Sequence, residues 1–123
     1  KHFLKQFGVE EPKEHDDFLT RYIEIVKANI SNPELDVSVI YEALGMSRTN
    51  FYRKVKTVTG LSPIELIKNI RLEAGAKLLK ESDMNISEIA QHIGFSSRSY
   101  FARSFKAVYG MSPTEYQETK SQD

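Results

Sequence analysis

The 123-residue chain has no cysteine, only four prolines and six glycines, and no long apolar run. The absence of cysteine excludes a disulfide framework and a thiolate metal site, and it fits a reducing compartment. A membrane span needs roughly 18 consecutive apolar residues, and no segment approaches that length. The start at Lys1 lacks an initiator Met and a signal-type apolar stretch. We therefore expect an excised, cytoplasmic fragment with a modest core.

An excess of charge is also absent, since 17 basic residues balance 17 acidic ones. Phosphate binding normally shows as a basic excess, so the distribution of the charges matters more than their sum. Residues 44–80 carry eight basic and two acidic side chains, and residues 96–110 carry three basic and no acidic ones. Residues 1–36 carry five basic and eight acidic side chains. Two basic segments in a neutral chain are compatible with a nucleic-acid partner.

An internal repeat is the most informative feature of the chain. Residues 47–66 align with residues 97–116 at an offset of 50, and ten of the twenty positions are identical. Upstream, residues 37–45 align with residues 86–94 at an offset of 49, so the second copy has one extra residue in the turn after its glycine. The repeat predicts two copies of one structural unit.

Each copy predicts a helix, a tight turn, a second helix and the start of a third. A polar N-cap residue precedes the first helix, a glycine ends it, and a serine caps the second helix. These residues are Asp36, Gly45 and Ser47 in the first copy and Asn85 (with Glu88 in a capping box), Gly94 and Ser97 in the second. Apolar residues at helical spacing predict the buried faces: Val37, Ile40, Leu44, Phe51, Val55 and Val58, then Ile86, Ile89, Ile93, Phe101, Phe105 and Val108. A helix pair joined by a short glycine turn is the helix-turn-helix signal.

The exit of each copy has a strong helix start. Ser62–Glu65 and Ser112–Glu115 place Ser at the N-cap, Pro at the first helical position and Glu at the third. The first of these helices is expected to run from Pro63 to about Lys80, with Ile67, Ile70, Ala74 and Leu78 on one buried stripe. At a rise of ~1.5 Å per residue this helix would be about 27 Å long, comparable to the ~34 Å between successive major-groove faces of B-DNA.

The side of each second helix that faces away from its apolar stripe is polar. The residues predicted to lie there are Arg48, Thr49, Tyr52, Arg53 and Lys56 in the first copy and Arg98, Ser99, Ala102, Arg103 and Lys106 in the second. Bidentate arginine and short hydroxyl side chains suit base edges in the major groove, and Tyr suits a phosphate or a thymine methyl. Residues near the helix starts are best placed for bases, and Lys56 and Lys106 for phosphates.

From about Asp17 to Tyr116, the chain resembles the DNA-binding domain of AraC-type (arabinose-regulator-like) transcription regulators. The segments that carry the resemblance include Gly60–Pro63, Arg71–Leu72, Ile86–Ala90, Gly94–Phe95, Arg103–Lys106 and Gly110–Pro113. The resemblance implies an all-α fold of about seven helices, with two helix-turn-helix subdomains joined by a long linker helix. It also implies sequence-specific binding of double-stranded DNA in adjacent major-groove segments, and transcription regulation that is usually activation. The DNA-contacting positions that it implies are Thr49, Tyr52, Arg53, Arg98, Ser99, Ala102 and Arg103.

The domain division predicted from these features has four parts: a linker over residues 1–15, a first subdomain over 16–80, a second over 81–120 and a tail over 121–123. The first subdomain includes a bracing helix that opens at Asp16. The segment before it resembles connectors in hybrid two-component regulators with an upstream receiver or sensor domain, and sugar-sensing one-component regulators are the alternative. The resemblance also implies RNA polymerase as a partner, a homodimeric full-length protein, and membrane tethering if that protein is a hybrid sensor.

Two positions depart from the family pattern. Gly75 lies in the linker helix, where glycine costs roughly 1 kcal/mol relative to alanine, so it marks either a weak point or close packing. Ala102 offers only a methyl group. We therefore expect the second unit to read fewer bases than the first.

An enzymatic function has little support in the sequence, and we expect no cofactor and no metal. No glycine-rich phosphate loop, nucleophile-base set or H-E-x-x-H pattern occurs. His15 precedes two acidic residues at a helix start, where carboxylates already have a capping role, and His92 stands alone. The alternative from another class is a helical protein-interaction module. That function would require an exposed apolar strip on the second helices, where the sequence has Arg, Lys, Ser and Thr.

Overall fold

The computed structural model describes residues 16–122, so His15 and the linker predicted over residues 1–15 lie outside the described residues. Within the described part, seven α-helices and one 3₁₀ helix follow one another, and no strand occurs there. The helices are α1 (Asp16–Ala28), α2 (Val37–Ala43), α3 (Arg48–Thr59), α4 (Pro63–Glu81), α5 (Ile86–His92), α6 (Arg98–Tyr109) and α7 (Pro113–Glu118), with the 3₁₀ helix at Thr119–Gln122. The all-helical class and the number of helices are confirmed.

The chain forms two compact units, each containing one helix-turn-helix pair. Within the described residues, the first unit comprises residues 16–29 and Leu35–Ile70, and the second comprises Ile30–Glu34 and residues 71–122. The division therefore falls inside α4. The loop Ile30–Glu34, although it lies between α1 and α2 in sequence, belongs to the second unit.

The predicted caps form at the helix starts. Asp36 Oδ1 accepts a hydrogen bond from the Ser38 N–H at 3.0 Å, and the hydroxyls of Ser47 and Ser97 accept from backbone N–H groups three residues on. Capping boxes close at α5 and α7, and the same reciprocal pair of bonds joins Ser62 and Glu65 at α4. These bonds satisfy N–H groups that have no partner within the helix.

The core of the first unit joins α1 to the helix pair α2 and α3. Tyr22 of α1 and Phe51 of α3 are fully buried, and their rings stack with centroids 5.6 Å apart and an interplanar angle of 7°. The Tyr22 hydroxyl donates a hydrogen bond to the Pro63 carbonyl at 2.9 Å. Burial, together with the nearby Tyr52, raises the pKa of this phenol well above its ordinary value. This packing is the bracing role predicted for α1.

The core of the second unit is built on aromatic residues of α6. Phe101 and Phe105 are fully buried, and the Phe105 ring stacks on Tyr109 with centroids 4.3 Å apart. The prediction that Val108 lines this core is wrong, because Val108 is 39% exposed. The larger ring of Tyr109, one full helical turn beyond Phe105, packs there instead. The buried cluster consists of Leu72, Ala76, Leu79, Ile86, Ile89, Ala90, Ile93, Phe95, Phe101 and Phe105.

Helix α4 departs from the single stripe predicted for it. Ile67 and Ile70 are buried as expected, but Ala74 and Leu78 are only half-buried. Four other apolar residues are also buried: Leu66, Leu72, Ala76 and Leu79. One stripe is not enough because the part of α4 up to Ile70 contributes to the first unit and the part from Arg71 onward contributes to the second.

Gly75 occupies a closely packed position in α4. A Cβ atom added there would lie 2.9 Å from Ile93 Cδ1 and 3.1 Å from Phe101 Cε1. Of the two explanations for a mid-helix glycine, the structure supports close packing.

Candidate nucleic-acid interface

Helix α3 presents a polar face on the side away from its buried residues. Phe51 and Val55 are fully buried, which fixes the rotation of the helix. Of the residues predicted to lie outward, four are exposed and the fifth, Tyr52, is half-buried. The exposed ones are Arg48, Thr49, Arg53 and Lys56.

Two side-chain contacts on α3 orient its arginines. The Arg48 guanidinium lies 4.6 Å from the centroid of the Tyr52 ring, a cation–π contact one turn apart. Arg53 Nη1 donates a hydrogen bond to Asn50 Oδ1 at 3.4 Å. Asn50 is exposed and was not among the predicted residues. Its signal in the sequence is its position three residues before Arg53, because residues at this spacing are neighbours on a helix surface.

Lys56 is tied to the end of its own helix. Its ammonium donates a hydrogen bond to the carbonyl of Gly60, the C-cap residue, at 3.0 Å. Basic groups at a helix C-terminus interact favourably with the unpaired carbonyls there. The pKa of Glu65 is lowered mainly by its hydrogen bonds with Ser62, and Lys56 adds a smaller contribution. The pKa of Glu115 is lowered in the same way by Ser112, with a smaller contribution from Lys106.

Helix α6 repeats the arrangement with fewer functional groups. Arg98, Ser99, Arg103 and Lys106 are exposed, whereas Ala102 is half-buried. Tyr100, which was not predicted, is 41% exposed, and its ring lies 5.3 Å from that of Phe95. The second face thus has Ala102 where the first has Tyr52.

An open groove of about 440 Å³ lies beside the start of α6 within the second unit. Its polar lining comes from the loop before α2, from α5, from the turn before α6 and from the first residue of α6. These residues are Ser31, Ser87, Gln91, Ser96, Ser97 and Arg98. Hydroxyl groups and one guanidinium give the groove the chemistry of an anion-facing surface.

Metal ligands do not cluster in the described part of the chain: no group of three or more His, Asp or Glu residues lies close enough to hold an ion. Among residues 16–122, no helix combines the length and apolarity that crossing a membrane would require. The large apolar residues that are exposed within this range are Val39, Ile64, Tyr100 and Val108. None of them lies on α3, so this helix has no exposed apolar strip.

Two helix-turn-helix units, each with an exposed basic second helix, define a DNA-binding protein of the helix-turn-helix class. The family described as "Helix-turn-helix domain" matches residues 40–119. A histidine kinase, P4 from Formosa agariphila, is 36% identical over 107 residues, which are 87% of this chain and 8% of the kinase. The transcriptional regulator MtrA from Neisseria gonorrhoeae is 34% identical over 80% of this chain and 33% of its own length. The chain therefore spans a third or less of these two relatives.

Solved structures to which this chain is similar also include DNA-binding domains and transcription regulators. The C-terminal domain of AraT, a response regulator from Geobacillus stearothermophilus, is 32% identical with a TM-score of 0.71, covering 81% of this chain and 83% of that one. An AraC-type regulator from Chromobacterium violaceum is 25% identical with a TM-score of 0.82, covering 90% and 98%. The DNA-binding domain of AdpA in complex with a target DNA is 26% identical with a TM-score of 0.70, covering 81% and 94%. The chain belongs to the helix-turn-helix domain family and is a DNA-binding domain of the AraC type.

Proposed function

We propose that α3 and α6 each read a major-groove segment of one DNA duplex, and that the chain is the DNA-reading part of a transcription regulator. The observation that carries the proposal is the repetition of exposed arginines at equivalent positions. Arg48 and Arg53 on α3 correspond to Arg98 and Arg103 on α6, and all four are exposed. Arg53 and Arg103 lie on the side of their helices away from the buried phenylalanines, and Arg48 and Arg98 lie at the helix starts. The guanidinium group reads guanine through two parallel hydrogen bonds.

The proposed roles follow from position along each helix. Arg48, Thr49, Arg98 and Ser99 lie in the first turns and contact base edges, because recognition helices present their N-terminal residues to the groove. Arg53 and Arg103 contact bases one turn further on. Tyr52 contacts a phosphate or a thymine methyl, Ala102 contacts at most a thymine methyl, and Lys56 and Lys106 contact phosphates. The two units therefore differ, with α3 as the richer reader and α6 as the anchor of partial specificity.

The wider setting of the domain is also a proposal. Similarity to a histidine kinase and to a response regulator supports a two-component regulator, with a receiver or sensor domain upstream of a linker over residues 1–15. In sequence order, we assign residues 16–80, which include the linker helix α4 up to Lys80, and residues 81–120 to the two reading subdomains, and residues 121–123 to a tail. The compact units of the fold differ from this division, because they share α4 and place residues 30–34 in the second unit. The full-length protein would activate transcription through RNA polymerase, as a homodimer. This domain acts in the cytoplasm without enzymatic activity of its own, even if a hybrid sensor tethers it to a membrane.

The proposal is tested by selecting bound sequences from a random duplex library at near-physiological salt. We expect an asymmetric motif with two enriched segments about one helical turn apart, since each reader occupies one major-groove face. Recovery of no enriched sequence would exclude base reading. It would favour the protein-interaction alternative, for which the exposed Tyr100 and Val108 of α6 are the supporting observation.

Substitution of the equivalent arginines gives a second test. Arg53→Ala and Arg103→Ala should each weaken binding to the selected site by about 1 to 3 kcal/mol and relax the preference for one base pair. Helix content should not change, because both side chains are exposed. Lys27→Ala, at an exposed position in the last turn of α1, is the matched control and should leave affinity unchanged. Unchanged affinity in both arginine variants would contradict the assignment of the two readers.

A further inference from the structure

Arg71 of α4 has no place in the function described so far, yet it is one of the few polar residues in the buried interior. Its side chain is 8% exposed. Nη1 donates a hydrogen bond to the Gly94 carbonyl at 2.8 Å, and Nη2 donates to the Asn32 carbonyl at 2.6 Å. Nε is buried without a hydrogen-bond partner. A buried guanidinium is costly to desolvate, so two short bonds to main-chain carbonyls are a specific feature of this unit.

The two carbonyls belong to segments that are distant in sequence. Gly94 forms the turn between α5 and α6, immediately before the second reading helix. Asn32 lies in the loop Ile30–Glu34. The Asn32 side chain stabilises the turn of this loop, because its Oδ1 accepts a hydrogen bond from the Glu34 N–H at 3.0 Å. Arg71 therefore fastens the turn and the loop to one point on α4, all within the second unit.

Packing around Gly94 shows how tight this junction is. Gly94 has φ +87°, and a Cβ atom there would overlap the Ile30 carbonyl and lie 2.9 Å from Arg71 Cζ. Only glycine fits, for conformational and steric reasons together. The equivalent Gly45 in the first unit also has positive φ, but nothing lies within 4 Å of a Cβ atom built on it.

The first unit has a looser counterpart of the same contact. Arg21 on α1 lies 50 residues before Arg71, which is the offset of the main repeat, and its Nη2 donates to the carbonyl of Ala43 at the end of α2 at 3.3 Å. Arg21 is exposed, and its single bond is longer than either bond of Arg71. In both units, an arginine from the helix before the pair thus binds the main chain near the turn, but only Arg71 is buried and holds two segments.

We propose that Arg71 is a positioning residue for the second reading helix. By holding the Gly94 carbonyl, Arg71 sets the conformation of the turn that directs α6 into the DNA major groove. This inference rests on the proposed reading of DNA by α6. It accounts for how a helix with few base-reading side chains keeps partial specificity, because rigid placement lowers the cost of ordering the interface on binding. The hydrogen bond from Arg71 to the Asn32 carbonyl also holds the loop that contains Ser31. Ser31 lines the protein groove at the start of α6 together with Ser97 and Arg98.

The test measures discrimination separately for the two DNA segments. Affinities are compared for the selected duplex and for duplexes with either the α3 segment or the α6 segment replaced. Arg71→Gln removes the cation, and Arg71→Lys keeps it but loses the planar two-armed geometry. We expect Arg71→Gln to reduce discrimination at the α6 segment by about fivefold or more, a loss of the size that follows from misplaced base contacts. Discrimination at the α3 segment should change by less than about twofold, and Arg71→Lys should give an intermediate loss.

The controls separate positioning from charge and from folding. Lys77→Gln removes one exposed positive charge from the same helix and should leave discrimination unchanged at both the α3 and the α6 segment. Circular dichroism at the assay temperature reports whether each variant is folded. If Arg71→Gln is not folded at that temperature, the discrimination of Arg71→Lys at the α6 segment is the measurement that tests the proposal. Hydrogen exchange in the free protein adds a matched readout. The Gly94 and Phe95 amides, bonded to Gln91 and Ala90 carbonyls, should exchange faster in Arg71→Lys, while those of Gly45 and Met46 should not.

The outcomes are distinguishable. Unchanged α6 discrimination in folded Arg71 variants would overturn the inference, and so would equal losses at both segments. If Arg103→Ala also left discrimination at the α6 segment unchanged, the DNA-reading function proposed for α6 would be wrong as well. A loss confined to the α6 segment in Arg71→Lys, with Lys77→Gln unchanged, supports the positioning role.

Discussion

At the scale of single residues, Gly75 shows how the interior decides a position that helix propensity alone would assign to alanine. An added methyl group would gain about 1 kcal/mol of helix propensity. It would also meet Ile93 Cδ1 at 2.9 Å and Phe101 Cε1 at 3.1 Å in a core where extra volume costs about 1 to 3 kcal/mol. We therefore expect Gly75→Ala to lower the free energy of unfolding by about 1 kcal/mol, measured by denaturant titration.

Ile93→Val removes the Cδ1 atom and so tests the cause of this loss. In the Ile93→Val background, Gly75→Ala should be less destabilising by at least about 0.5 kcal/mol, because contacting residues are not additive. Ile89→Val is the control, since Ile89 is buried in the same cluster but is not among the nearest neighbours of the added atom. Additive effects in the Gly75/Ile93 pair would contradict the steric account.

At the scale of helices, the capping boxes link stability to pH. The Ser62 backbone N–H, and then its side chain, lower the pKa of Glu65 below the ordinary value of 4.5, and Ser112 acts in the same way on Glu115. A carboxyl whose pKa is lower in the folded chain stabilises the fold when ionised. That stabilisation is complete above the unfolded pKa and is lost as the pH falls through the folded pKa.

We expect the melting temperature to fall as the pH is lowered from about 6 to 3, and to fall less steeply in Glu65→Gln/Glu115→Gln. The glutamine side chain still accepts a hydrogen bond but does not titrate, so the difference between the two proteins should be largest near neutral pH. Glu24→Gln, an exposed substitution on α1 outside any cap, is the control. Parallel pH profiles for wild type and double variant would show that the caps do not carry the effect.

The helices also show which features the sequence can predict. Caps, turn glycines and the inward phenylalanines were predictable because they depend on residues within one or two turns of each other. Val108 was assigned wrongly because the spacing to Phe105 fits either Val108 or Tyr109, and only the packed rings decide between them. Arg71 escaped assignment because its partners, the Gly94 and Asn32 carbonyls, lie 23 and 39 residues away. Main-chain partners leave no pattern of residue types in the sequence.

At the scale of the whole molecule, the neutral net charge conceals the property that matters for DNA. The proposed reading faces contain six Lys or Arg residues and no acid, while the acidic residues are concentrated elsewhere in the sequence. Each phosphate neutralised by a cation contributes about −0.9 to the slope of log K against log salt concentration. If only the two lysines meet phosphates the slope is about −2, and if all six cations do it is about −5.

We expect the measured slope to fall within this range despite a net charge of zero. Lys106→Gln should make the slope less steep by about 0.9 and weaken all sequences alike, because a phosphate contact carries no base information. Lys27→Gln removes the same charge from the exposed surface of α1 and should leave the slope unchanged. Equal changes in both lysine variants would mean that affinity follows net charge rather than the reading faces, and a slope near zero would exclude phosphate contacts by these residues altogether.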